Sequence, residues 1–90
     1  MEKERFKTLY RSKHIVIKEI TSPKSFNEDF TQDIDEYVKI LKGNAVLQIG
    51  DKRIVIKKGQ SLFLKKGTQH NKIIKTSEKE KTVWLATYFR

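Results

Sequence analysis

The sequence predicts a small all-β domain, a sandwich or barrel of short antiparallel strands, and three observations carry that expectation. Strand-like apolar runs recur from Glu36 to Phe89 with a turn signal between neighbours, and a spacing of about 8–12 residues between turns marks sandwiches and barrels. Apolar and polar residues alternate with the two-residue period of strands, and no stretch after residue 30 sustains a helical period. The chain has 90 residues, enough for one domain with one modest core.

The elements follow in order. Residues 1–12 are polar around Phe6, Leu9 and Tyr10. They are read as an N-terminal arm, open to a helical or strand form, with the barrel over residues 13–90. Residues 14–20 (HIVIKEI) are rich in β-branched side chains and read as a strand. Pro23, the only proline, ends it. Residues 27–36 (NEDFTQDIDE) hold five of the eleven acidic residues: Glu28, Asp29, Asp33, Asp35 and Glu36. They are read as an acidic loop, either simply solvated or forming the approach to a cavity. Strands are then expected at residues 37–41, 45–49, 53–56, 62–64, 71–74 and 82–89, with a polar connection over 76–81. Gly50-Asp51 is a two-residue hairpin signal with glycine first, the order a type II′ turn prefers.

Alternation assigns the faces. Glu36, Val38 and Ile40 share one side of a strand, as do Ala45, Leu47 and Ile49. Tyr37, Phe63, Trp84 and Tyr88 stand at alternating positions and are read mostly as core, with Phe30 and Trp84 kept as pocket walls. The last run is apolar on both faces: Val83, Leu85 and Phe89 against Trp84, Ala86 and Tyr88. A strand apolar on both sides is buried on both sides. A homodimer is therefore expected, with one face in the barrel and one in the interface.

Composition narrows the function. There is no cysteine, which removes disulfides, thiolate chemistry and cysteine-based zinc sites. No apolar run approaches the roughly 18–20 residues of a membrane span. The N-terminus has no apolar middle of a secretory signal, so a cytoplasmic location and no membrane partner are expected. Lysine and arginine number 20 against 11 acids, a net charge of +9. Only four of the basic residues are arginines, and the lysines are spread along the chain. No helix-turn-helix or base-stacking signature accompanies them. A nucleic-acid-associated accessory role on the basic surface is thus the weaker alternative to a small-molecule partner.

Residues 35–73 resemble a cupin. In that family the first motif runs G-x5-H-x-H-x3/4-E-x6-G, and here Glu36 and Gly43 stand at the E-x6-G positions. Phe30 and Gln32 occupy the two histidine positions. The second motif runs G-x5-P-x-G-x2-H-x3-N. Gly59, Gly67 and His70 keep its spacing, with Lys65 for the proline and Ile74 for the asparagine. The chain is also similar to small single-domain bacterial cupins that lack the histidine pair, in its Phe30-Thr31-Gln32-Asp33, Asp35-Glu36-Tyr37-Val38 and C-terminal Thr-Val-Trp-Leu-Ala runs. The resemblance implies a double-stranded β-helix, a jelly-roll-like barrel.

In metal-binding cupins the two histidines, the glutamate and the second-motif histidine hold one divalent ion. Carried over, Glu36, His70 and the weaker Gln32 remain, a thin donor set for a transition metal, to which Asp33 or Asp35 could add a carboxylate. Without metal, Glu36 beside His70 would raise the imidazole pKa and act with it as a general acid/base pair. The expected ligand-binding residues are Phe30, Gln32, Glu36, His70, Lys72 and Trp84. Alternation places Lys72 on the face of His70, where it could pair with Glu36 or meet an anionic ligand, unless a bulge shifts the register. His14 is read as structural or exposed. The leading expectation is a barrel that binds a small polar or anionic molecule. The alternative is a metal-dependent isomerase or oxygenase-like enzyme using Glu36 and His70.

Overall fold

The computed structural model describes residues 3–75 and 81–90. Among them are nine strands and no helix: β1 (Arg5–Arg11), β2 (Ile15–Ser22), β3 (Ser25–Thr31), β4 (Asp35–Lys42), β5 (Asn44–Ile49), β6 (Lys52–Lys57), β7 (Ser61–Leu64), β8 (Gln69–Lys75) and β9 (Thr82–Phe89). They form a five-stranded sheet, β1-β2-β9-β4-β7, and a four-stranded sheet, β3-β8-β5-β6. Every strand pairing in both sheets is antiparallel. Among the described residues no helix is long and apolar enough to cross a membrane.

The alternation read from sequence sets the inner faces. On β4, Glu36, Val38 and Ile40 are buried and Tyr37 and Lys39 exposed. On β5, Ala45 and Leu47 are buried, and on β9, Thr82, Trp84 and Ala86. The apolar ones, Val38, Ile40, Ala45, Leu47, Trp84 and Ala86, meet Ile20, Phe26, Ile56, Leu64 and Ile74 in one core shared by both sheets. The β9 strand sits between β2 and β4; its inward residues Thr82, Trp84 and Ala86 are buried, whereas on the outward face Val83 and Leu85 are half-buried and Phe89 is exposed, so the burial on both faces expected from sequence is not met within one chain. The β5–β6 hairpin closes over Gly50-Asp51, with Ile49 opposite Lys52. Only Gly50 of the two has positive φ, as a type II′ turn requires.

Three features differ from expectation. Residues 25–31 form strand β3 instead of an acidic loop. Its acids stay exposed because β3 is an edge strand, while Phe26 turns into the core. Residues 5–11 form strand β1, paired with β2 around an irregularity between Thr8 and Tyr10. Tyr37 and Phe63 are not core: they are 42% and 51% exposed. Tyr37 follows Glu36 and must point outward if Glu36 points inward, and Phe63 is its cross-strand neighbour. Phe63 and Phe89 lie with ring centroids 6.5 Å apart on this outer face. The polar connection expected over 76–81 lies, except for Lys81, outside the described residues.

Candidate functional site

The two sheets enclose a cavity of about 330 Å³, at the small end of the roughly 300–1,000 Å³ of small-molecule sites. The five-stranded sheet supplies Ile20, Glu36, Val38, Leu64, Trp84 and Tyr88. The four-stranded sheet supplies Phe30, Leu47, His70 and Lys72. Gln32, Asp33 and Ile34 enter from the β3–β4 connection, and Glu4 and Phe6 from the N-terminal segment. Phe30, Gln32, Glu36, His70, Lys72 and Trp84, all expected at the ligand site, thus line one space. His14 is exposed elsewhere.

Local structure explains each placement. Glu36 is turned inward by the parity of β4. Gln32 is fixed by two backbone hydrogen bonds: its N–H donates to the Thr68 carbonyl and its carbonyl accepts from the Gly67 N–H. Its side-chain Nε2 donates to Glu36 Oε1 at 2.6 Å. Asp35 does not turn toward the cavity, because its Oδ1 accepts the Lys66 N–H at 2.8 Å. His70, Lys72 and Ile74 are successive inward residues of β8 and all are buried. The β3–β8 register runs without a bulge, so Lys72 truly shares the face of His70.

Lys72 is the least expected part of the site. Its Nζ lies 5.0 Å from the Phe30 ring centroid and 4.7 Å from that of Trp84. It forms an ion pair with Glu4 Oε2 at 3.0 Å, and so does not pair with Glu36. The Ser22 hydroxyl donates to the same Glu4 oxygen, and Trp84 Nε1 donates to Ser22 Oγ at 2.9 Å. Sequence reasoning missed Glu4, Ser22 and Tyr88. Nothing near Glu4 in the chain marks it, since its partners come from β2 and β8.

Glu36 and His70 project from opposite sheets into the same cavity, but Glu36 bonds to Gln32 and not to His70. The expectation that Glu36 would raise the His70 pKa is therefore corrected. Burial lowers the imidazole pKa, Lys72 lowers it further, and Glu4 offsets part of the effect. Burial raises the Glu36 pKa, opposed in part by the Gln32 hydrogen bond, the Lys72 charge and the Tyr88 hydroxyl. The Tyr88 hydroxyl is itself pushed up by burial and by the Glu36 charge, and stays a proton donor. His70 stacks on Phe30 with centroids 5.5 Å apart. Its buried Nδ1 has no hydrogen-bond partner among the described residues. A carboxyl biased toward its acid form and a neutral imidazole can give and take hydrogen bonds, or protons, at a molecule between them.

The residues present do not fit a resident divalent metal. Among the described residues no three His, Cys, Asp or Glu side chains converge. The Gln32 amide is engaged with Glu36, Phe30 has no donor atom, and a lysine ammonium enters the cavity where an added cation would be repelled.

Two antiparallel sheets of short strands thus close over a mostly apolar cavity with a few convergent polar groups. The chain belongs to the cupin family: the family model described as "Cupin domain" matches residues 23–88. A comparison with curated proteins found no match. Among solved structures, a Ralstonia eutropha protein provisionally assigned as a mannose-6-phosphate isomerase is similar, with 24% identity and TM-score 0.83, over 99% of this chain and 86% of that one. A Rhizobium leguminosarum protein of unknown function has 11% identity and TM-score 0.87, over 99% and 83%. The polyketide cyclase RemF of Streptomyces resistomycificus has 13% identity and TM-score 0.83, over 98% and 66%. At these identities the likeness is one of fold.

Proposed function

We propose that this cupin binds a small polar or anionic molecule inside its barrel. The observation that carries the reading is the buried, unpartnered Nδ1 of His70, on a residue that lines a mostly apolar cavity. An unpaired buried polar atom costs about 1–3 kcal/mol, and a ligand hydrogen bond to it would recover that cost. Glu36, held by Gln32, faces it from the other sheet and gives the ligand a second directional contact. Apolar walls from Ile20, Val38, Leu47, Leu64 and Trp84 exclude water and strengthen both contacts. The names of the neighbouring structures, a sugar-phosphate isomerase and a polyketide cyclase, support small molecules as the ligand class and do not choose among them.

The test is a screen of neutral and acidic metabolite-sized compounds by ligand-observed NMR. The expected result is a set of mutually competing binders that lose binding in His70→Phe and in Glu36→Gln, with both variants folded. Binders that ignore both substitutions, or an absence of binders, would contradict the reading.

A further inference from the structure

We propose that Lys72 and Ser22 form a carboxylate subsite within the cavity, and that Glu4 occupies it as a built-in stand-in which the ligand displaces. The inference rests on the cavity being a ligand site, and it names the ligand class: a small organic acid.

The cradle is built before any acid enters. The Ser22 hydroxyl is fully buried, and Trp84 Nε1 satisfies its acceptor side, which leaves its hydrogen for a carboxylate. Lys72 Nζ is held between two aromatic rings and reaches both Glu4 oxygens, at 3.0 and 3.3 Å. One ammonium and one hydroxyl converging on a carboxylate inside an apolar cavity are the donors that recognise an organic acid. A buried ion pair is weak evidence of a purely stabilising role, since apolar replacements of such pairs are often as stable.

The occupant, in contrast, is attached loosely. Glu4 directly precedes β1, whose seven residues are all exposed. That strand pairs with β2 alone, at the edge of its sheet, and its register is irregular. Edge segments with few buried contacts open at low free-energy cost. When Glu4 leaves, the Lys72 side chain faces the cavity with no carboxylate bonded to it. Lys18, 5.6 Å from the Tyr88 ring centroid, adds a second cation near that wall. Two carboxyl side chains still line the cavity, Glu36, which Gln32 holds, and Asp33, which is exposed, while the net charge of +9 draws anions toward the protein.

A segment that fills its own subsite about nine-tenths of the time lowers apparent ligand affinity about tenfold. The test titrates propionate, which matches the Glu4 side chain, and its neutral isostere propionamide, into the full chain and its variants by NMR. Propionate should bind Glu4→Ala at least about tenfold more tightly than the unchanged protein. Glu4→Gln, which keeps the side-chain shape, should shift in the same direction. Propionamide should gain nothing, and adding Lys72→Gln to Glu4→Ala should abolish propionate binding. Equal propionate affinity with and without Glu4, or binding that survives loss of Lys72, would overturn the stand-in. If that happens while other compounds still bind through His70, the cavity reading stands alone. If no compound binds any variant, both readings fall.

Discussion

Lys72 and Glu4, 68 positions apart in the chain, meet as an ion pair inside the barrel, with side chains only 11% and 4% exposed. Two buried charges in contact are expected to be energetically coupled. Lys72→Met alone leaves Glu4 with the Ser22 hydroxyl as its partner, and Glu4→Gln alone leaves Lys72 without its countercharge. Each single variant should lose about 1–3 kcal/mol in urea unfolding, and the double variant should lose less than the sum, with a coupling of about 0.5–3 kcal/mol. Additive losses would show that the pair makes no net contribution.

The cavity should also leave a mark on stability against pH. Because the His70 pKa is lowered from 6.5, the unfolded chain binds the proton first as pH falls. Stability should therefore be fully present above about 6.5 and decline below it. Glu36 acts in the opposite sense. Its pKa is raised from 4.5, so the folded state holds the proton longer, and stability should fall as pH rises from 4.5 through the raised value. Melting temperatures of the unchanged protein, His70→Phe and Glu36→Gln across that range check both slopes. Each variant should lose its own slope and keep the other.

Gly43 and Gly67 both have positive φ, +74° and +88°, yet their substitutions should differ. A Cβ on Gly43 would lie 2.8 Å from Thr82 Oγ1 and 3.0 Å from Thr82 Cα, whereas a Cβ on Gly67 meets nothing within 4 Å. Thr82 is fully buried, and its hydroxyl donates to the Asn44 carbonyl at 2.7 Å, so it cannot step aside. Gly67→Ala should cost about 1–2 kcal/mol for the left-handed backbone. Gly43→Ala should cost clearly more, and thermal unfolding of the two variants decides it.

The outer face of the five-stranded sheet supports a proposal that two copies of this chain associate. Tyr37, Phe63 and Phe89 are exposed there, beside the half-buried Val83 and Leu85. Such neighbouring apolar side chains on a sheet face are the kind of patch that oligomers cover. Sedimentation should give a dimer that Phe63→Lys converts to monomer without loss of fold. A monomeric unchanged protein would refute it.

The barrel was legible in the sequence because strand parity and turns are local. Glu36, Val38 and Ile40 declared an inner face, and Gly50-Asp51 declared a hairpin. The motif spacing that marked Glu36 and His70 also located the cavity, and parity alone put Lys72 inside it. Strand β3 was hidden because its acids face solvent at a sheet edge, leaving only Phe26 and Phe30, four residues apart, as a signal. The pairing of Glu4 with Lys72 was not legible at all. It depends on β1 lying beside β2 and placing Glu4 at the cavity, a tertiary fact without a local pattern. The direction of the His70 pKa failed for the same reason: it was argued from Glu36, while burial and Lys72 decide it.

A ligand in the cavity is proposed to bond to His70. The most direct measurement is the imidazole nitrogen NMR spectrum of His70 before and after addition of a small acid that binds. The Nδ1 resonance should move as that nitrogen gains a hydrogen-bond partner, and the movement should disappear with binding in Lys72→Gln. A compound that saturates the protein and leaves both His70 nitrogens unchanged would contradict it.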